Sequence, residues 1–155
     1  MTSSPLDNLV RIGLLKAEPP VQAEFDGLVR SGRVRLMDAE NPVLALESRF
    51  DLAYNAAHAL SLAALRWHGY RSESRYQVFR TLTHTLSLDV AQWRILDQAH
   101  RKRNLAKYEG DRDVSGVLVT AIVRVVRAVA SMSLRCLGEI FARLPACRVL
   151  PEGGY

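Results

Sequence analysis

The stretch that most limits how this chain can fold runs from Leu46 to Trp67. Leu46, Phe50, Ala53, Ala57, Leu60, Ala64 and Trp67 recur at alternating steps of four and three. That spacing puts them on one side of an α-helix and makes that side the seam of a helix bundle. Alanines at 53, 56, 57, 59, 63 and 64 keep the helix slim, so a neighbour can approach closely. Gly69 ends the run. A chain built on such an element needs other apolar stripes to cover it.

Those stripes are present on both sides. A short helix is expected from Pro5 to about Lys16, on Leu6, Leu9, Val10, Gly13 and Leu14, before the break at Pro19-Pro20. A second is expected from Pro20 to about Asp38, on Val21, Phe25, Leu28, Val29 and Leu36, with Gly32 as a weak point where it could break. Asn41-Pro42 reads as the N-cap amide and first-turn proline of the central helix. A shorter helix is expected from about Ser74 to Leu86, with Tyr76, Phe79, Leu82 and Leu86 inward.

Ser87 is the expected N-cap of the next helix, Leu88 to Tyr108, whose apolar side is Leu88, Ala91, Ile95, Ala99 and Ala106. Gly110 suits its C-terminal cap. Asp113 is expected to cap the longest element, Val114 to Leu144, with a stripe of Val114, Leu118, Ala121, Val125, Val129, Met132, Cys136 and Ile140. At 1.5 Å per residue it would be about 45 Å long. Pro145 stops it, and residues 146–155 read as a flexible tail. No alternating strand pattern is present. The expected fold class is all-α: an antiparallel up-down bundle of four main helices, with helical additions in residues 1–20, forming a single domain over 1–155.

Composition narrows the function classes. The 155 residues carry a formal charge of +5, which permits an anionic partner such as nucleic acid or a nucleotide. Cys136 and Cys147 form no CxxC, and His58, His68, His84 and His100 have no metal-ligand spacing, so neither a metal nor a cofactor is expected. No glycine-rich phosphate loop or nucleophile elbow occurs. The apolar runs Leu52–Leu65 and Val114–Val123 are too short to span a bilayer, and no signal peptide is evident. The expected location is cytoplasmic.

Polar residues concentrate in two places. At His100-Arg-Lys-Arg-Asn-Leu-Ala-Lys-Tyr-Glu-Gly110 the helical phase puts Arg103 on a common side with Leu96, Ala99 and Ala106, while Arg101 and Lys102 reach solvent. A cation turned toward the bundle needs a partner, and Glu47 and Asp51 are the obvious acids. Two readings stand side by side: a structural ion pair, or a site in which Arg103 and Asn104 hold phosphate oxygens, which suit arginine's planar fork. On the central helix Asp51, Asn55 and His58 form a polar line with Tyr54 alongside. It is either a satisfied network between helices, the simpler reading for His58, or part of the site. Arg71, Arg75 and Arg80 with Tyr70 and Tyr76 read most simply as a solvated helix-turn.

Three pieces carry a family resemblance: Arg49-Phe-Asp-Leu-Ala-Tyr-Asn-Ala-Ala-His58, then Gly69-Tyr-Arg71, then Arg101-Lys-Arg-Asn-Leu-Ala-Lys-Tyr108. In this order they resemble the HEPN superfamily over about residues 25–135. The resemblance implies a small helical bundle, commonly dimeric, from toxin–antitoxin and related defence systems, often beside nucleotidyltransferases. Many members are metal-independent ribonucleases; others bind nucleotides or RNA. The cleaving members carry Arg, four to six residues, then His. Arg103 matches the arginine and Asn104 the polar residue after it, but Tyr108 stands where the histidine belongs.

That departure has a chemical consequence. RNA cleavage through the 2′-hydroxyl needs proton transfer near neutral pH and a cation on the phosphorus transition state. Arg103 supplies the cation, whereas tyrosine, with a reference pKa of about 10, is a poor base beside histidine at about 6.5. The expectation is a homodimeric protein that binds RNA or a nucleotide through Arg103, Asn104, Tyr108, Lys107, Asp51 and Asn55. The alternatives are a metal-independent ribonuclease toxin using Arg103, Tyr108 and a displaced histidine, His100 or His58, and a protein-interaction subunit paired with an antitoxin or nucleotidyltransferase.

Overall fold

The computed structural model describes residues 4–109 and 113–141, with side chains described for 4–105 and 113–133. The chain is mostly helical, as expected: α1 (Pro5–Arg11), α2 (Gln22–Ala39), α3 (Leu46–Trp67), α4 (Arg75–Arg80), α5 (Leu82–Thr85), α6 (Val90–Glu109) and α7 (Gly116–Phe141). Two short strands, β1 (Lys16–Ala17) and β2 (Tyr70–Arg71), pair antiparallel. Two residues per strand leave no periodicity to read, and the sequence gives no sign of them.

α3 is the central element. It packs most extensively along α2 and next along α7, with α4, α5 and α6 covering the rest. Its alanine-rich surface is buried nearly all round, at Ala53, Ala56, Ala57, Ala59, Ala63 and Ala64. The closest approach explains why Gly32 does not break α2. A methyl placed there would lie 2.6 Å from Leu60 Cγ, so glycine is what lets α2 and α3 meet.

Local hydrogen bonding corrects several expected boundaries. α1 stops at Arg11, short of the expected Lys16, and α3 starts at Leu46 because Asn41 caps a turn, its Oδ1 accepting from the Val43 N–H at 3.0 Å. The expected Ser74–Leu86 helix is two helices, broken at Thr81. Asp89, not Ser87, opens α6, accepting from the Gln92 N–H at 2.8 Å. Ser87 takes a positive φ of 53°. Ser115, not Asp113, caps α7, accepting from the Leu118 N–H at 3.2 Å. The buried residues of α7 are Val119, Ile122, Val123, Val125, Val126, Val129 and Ser133: Val125 and Val129 lie inward as expected, while Val114, Leu118, Ala121 and Met132 are only partly buried. The stop at Pro145, the tail from 146, Gly110 and the side chains of Cys136 and Ile140 lie outside the described residues.

The apolar stretch of α7 is also longer than the sequence reading allows. Gly116–Ser133 is long and apolar enough to cross a membrane by length and composition alone. In the fold Val119, Ile122, Val123, Val125, Val126 and Val129 are buried in the core, while Val117 is exposed. Arg124 and Arg127 sit exposed on its outer face, and Arg127 Nε pairs with Glu40 at 2.7 Å.

A buried cation fastens the N-terminal segment. Arg66 is 2% exposed. Its guanidinium donates to the backbone oxygens of Glu18 (2.9 Å) and Pro19 (2.7 Å), and it pairs with Glu18 and Glu24 carboxylates at 3.3 Å each. Arg71 on β2 pairs with the same two acids. Gly69 makes the turn into β2 with φ of 88°, a conformation glycine adopts without strain. Its carbonyl accepts from Glu18 N–H at 2.9 Å.

Candidate functional site at the Tyr54 ring

Where α3, α4 and α6 meet, the structure gathers aromatic rings and cations around Tyr54. The phenol ring is 1% exposed. It stacks with Phe50 at 6.4 Å and meets Phe79 edge-on at 5.6 Å. Its hydroxyl lies 2.9 Å from His100 Nδ1, and His100 Nε2 lies 3.2 Å from the Asn104 side-chain amide. A neutral imidazole has one N–H and one bare nitrogen. His100 therefore donates from one side and accepts at the other, spanning Tyr54 and Asn104. Burial holds its pKa below the ordinary value, Asp97 partly opposes this, and Arg103 and Arg75 add to it.

Two arginines converge on the same ring. Arg103 Cζ from α6 lies 4.4 Å from the Tyr54 centroid and Arg75 Cζ from α4 lies 5.5 Å away. Cation–π contacts of this kind contribute about 0.5–2 kcal/mol each. They leave the guanidinium N–H groups to find acceptors elsewhere. Arg75 Nη1 donates to the neutral Asn55 Oδ1 at 3.1 Å, and Asn55 Nδ2 donates to the Asp51 backbone oxygen at 2.9 Å. Arg103 Nη1 is buried and has no hydrogen-bond partner among the described residues. Among the described residues no carboxylate pairs with Arg75 or Arg103, so neither Glu47 nor Asp51 takes the expected role with Arg103. Asp97, the acid that His100 feels, is paired with Arg101 at 3.1 Å.

His58 completes the cluster. Half-buried beside Phe79 at 6.2 Å, its pKa is pushed down to about 4, by burial first and then by the charges of Arg75 and Arg103. Among the described residues none hydrogen-bonds its ring nitrogens.

The expected site residues therefore divide. Arg103, Asn104, His100 and Asn55 come together around Tyr54, Asn55 by holding Arg75. Asp51 is exposed and contributes its backbone carbonyl rather than its carboxylate. Arg101 lies on the rim, as its phase predicts. Lys107 and Tyr108 belong to α6 by backbone, and their side chains lie outside the described residues. No group of three or more His, Cys, Asp or Glu residues among the described ones could hold a metal.

Sequence reasoning undervalued Arg75. The solvated helix-turn holds for Arg80, which is exposed, but Arg75 turns inward onto Tyr54. Two residues of the family-like segments have structural employment instead. Arg49 Nε donates to the Ala39 carbonyl at 2.8 Å, closing the end of α2, and Arg71 belongs to the Glu18–Glu24 cluster. Compared with protein-family models and with curated proteins, the chain matches none.

Proposed function

We propose that the protein binds RNA or a nucleotide at the Tyr54 cluster, with Arg103 as the principal contact to phosphate. The observation that carries this reading is the buried Arg103 Nη1, a charged donor with no acceptor among the described residues. A buried charged donor left unsatisfied is costly, and a phosphate oxygen would remove that cost. The resemblance to the HEPN superfamily leads to the same arginine. In keeping with it, we read α2, α3, α6 and α7 as an antiparallel up-down four-helix bundle, the protein as a cytoplasmic homodimer, and an antitoxin or nucleotidyltransferase as its class of protein partner. Filter binding of single-stranded RNA and of nucleotides to wild type and Arg103→Ala tests the site. Loss of binding in the variant is expected, and equal affinity in both removes the proposal.

A second reading, a metal-independent ribonuclease, draws on His58 rather than His100. Both nitrogens of His100 are occupied by Tyr54 and Asn104, so it is poorly placed to move a proton on a substrate. His58 is a neutral imidazole near Arg103 with no such engagement. Incubation with total RNA in chelator decides: cleavage that disappears in both His58→Asn and Arg103→Ala supports this reading, and intact RNA ends it.

A further inference from the structure

Resting on the reading of Arg103 as a ligand contact, we propose that Arg75 and Arg103 form a two-armed clamp for one terminal phosphate group, that of a nucleotide or of a phosphorylated RNA end. Nothing in the helix-turn sequence around Arg75 marks it for this task; its placement does. The two arginines come from different helices, α4 and α6, and each lies over the same phenol ring, at 5.5 and 4.4 Å from its centroid. That ring is fixed from beneath by Phe50 and Phe79 and at its hydroxyl by His100. The guanidinium groups are thus held in place before any ligand arrives, which lowers the ordering cost of binding.

Charge selects the ligand. Other inward-turned or paired arginines of this fold have an oxygen of their own: Arg66 and Arg71 share Glu18 and Glu24, Arg127 takes Glu40 and Arg49 takes the Ala39 carbonyl. Among the described residues Arg75 and Arg103 have between them one neutral amide acceptor, and the buried Arg103 Nη1 has none. Asp97 is already engaged by Arg101. His58 lies near both cations: burial first, and then the charges of Arg75 and Arg103, lower its basicity. A terminal phosphate carries nearly two negative charges at neutral pH and three strong acceptor oxygens. It balances two guanidinium groups, whereas an internal diester, with one charge, leaves one of them uncompensated. Planar guanidinium forks also match phosphate oxygens in pairs, which an ammonium does not do.

The test uses the full chain and two short single-stranded RNAs of one sequence, one with a 5′-phosphate and one with a 5′-hydroxyl, with adenosine monophosphate and inorganic phosphate alongside. Affinities are measured by calorimetry for wild type, Arg75→Ala, Arg75→Lys, Arg103→Lys and, as a control on the outer face of α7, Arg124→Ala, each checked for unchanged thermal unfolding. The clamp predicts about a tenfold preference for the 5′-phosphorylated RNA in wild type and Arg124→Ala. That preference vanishes in Arg75→Ala and is reduced in both lysine variants. Binding of adenosine monophosphate but of neither RNA, lost in Arg75→Ala, assigns the clamp to a free nucleotide. Equal affinity for the two RNAs together with Arg75-independent binding of the nucleotide overturns the clamp. If Arg103→Lys still weakens binding in that case, the proposed RNA or nucleotide site stands without it. If wild type binds none of the four ligands, both proposals fall.

Discussion

Two glycines in α2 offer a paired perturbation whose outcomes should have opposite signs. Gly27 and Gly32 lie in the same helix, and alanine is favoured over glycine there by about 1 kcal/mol on propensity alone. At Gly27 an added methyl meets nothing within 4 Å. Gly27→Ala should therefore stabilise the protein by about 0.5–1 kcal/mol. At Gly32 the methyl would lie 2.6 Å from Leu60 Cγ, 2.9 Å from Leu60 Cδ2 and 3.4 Å from the Ala56 carbonyl oxygen. Leu60 is completely buried and its Cγ is the branch point, so no rotation of a free end relieves the contact. Overpacking of this kind costs about 1–3 kcal/mol. The propensity gain offsets part of that, leaving Gly32→Ala destabilised by about 1–2 kcal/mol. For a domain of this size, each kcal/mol moves the midpoint by about 2–4 °C. Thermal and urea unfolding followed by circular dichroism should show Gly27→Ala melting above wild type and Gly32→Ala below it. Shifts of the same sign in both variants would refute the account of how α2 meets α3.

Three further outcomes follow from the buried groups. Arg66→Ala should cost about 3–5 kcal/mol, because it strands the carbonyls of Glu18 and Pro19 and unpins the N-terminal segment; Glu24→Gln, which leaves Arg66 its carbonyls and Glu18, should cost clearly less, and equal losses in urea melts would contradict the fastening role of Arg66. Tyr54→Phe keeps the ring beneath both arginines and removes the hydroxyl at His100, so it should lower stability by about 1–2 kcal/mol while retaining ligand binding; abolished binding at unchanged stability would show the hydroxyl itself touches ligand. His58 has a folded pKa of about 4 against an ordinary value of 6.5, so the stability linked to its neutral form is complete above pH 6.5 and is lost as the pH falls toward 4. With solvent screening at its open edge, the loss is on the order of 2 kcal/mol; His58→Asn should flatten the stability profile across that window, and an unchanged slope would place the titration elsewhere.

The sequence was most legible where a single helix face dominates. The seam of α3 from Phe50 to Ala64 and the inward phase of Leu96, Ala99 and Arg103 are properties of spacing within one element, and they are found as expected, while Leu46 at the start of the seam is exposed. Boundaries were harder because neighbouring polar residues compete for the same cap. Asp89 displaces Ser87 and Ser115 displaces Asp113, and only the geometry of the first turn chooses between them. The partners of charges were hardest of all. Arg66 sits in a sequence that reads as ordinary helix end, yet it reaches residues more than forty positions earlier. Arg75 looked like one of three solvated cations until α4 turned it onto Tyr54. Such pairings depend on how helices cross, which no local pattern encodes.

The central claim is that Arg103 is an unsatisfied donor waiting for a phosphate. Arg103→Lys tests it most directly, because lysine keeps the charge and removes the planar fork and the buried Nη1. Fluorescence anisotropy of a labelled single-stranded RNA or nucleotide, at one fixed salt concentration, should show about tenfold weaker binding by the variant with its thermal unfolding intact. Superimposable isotherms for the two proteins would contradict the account.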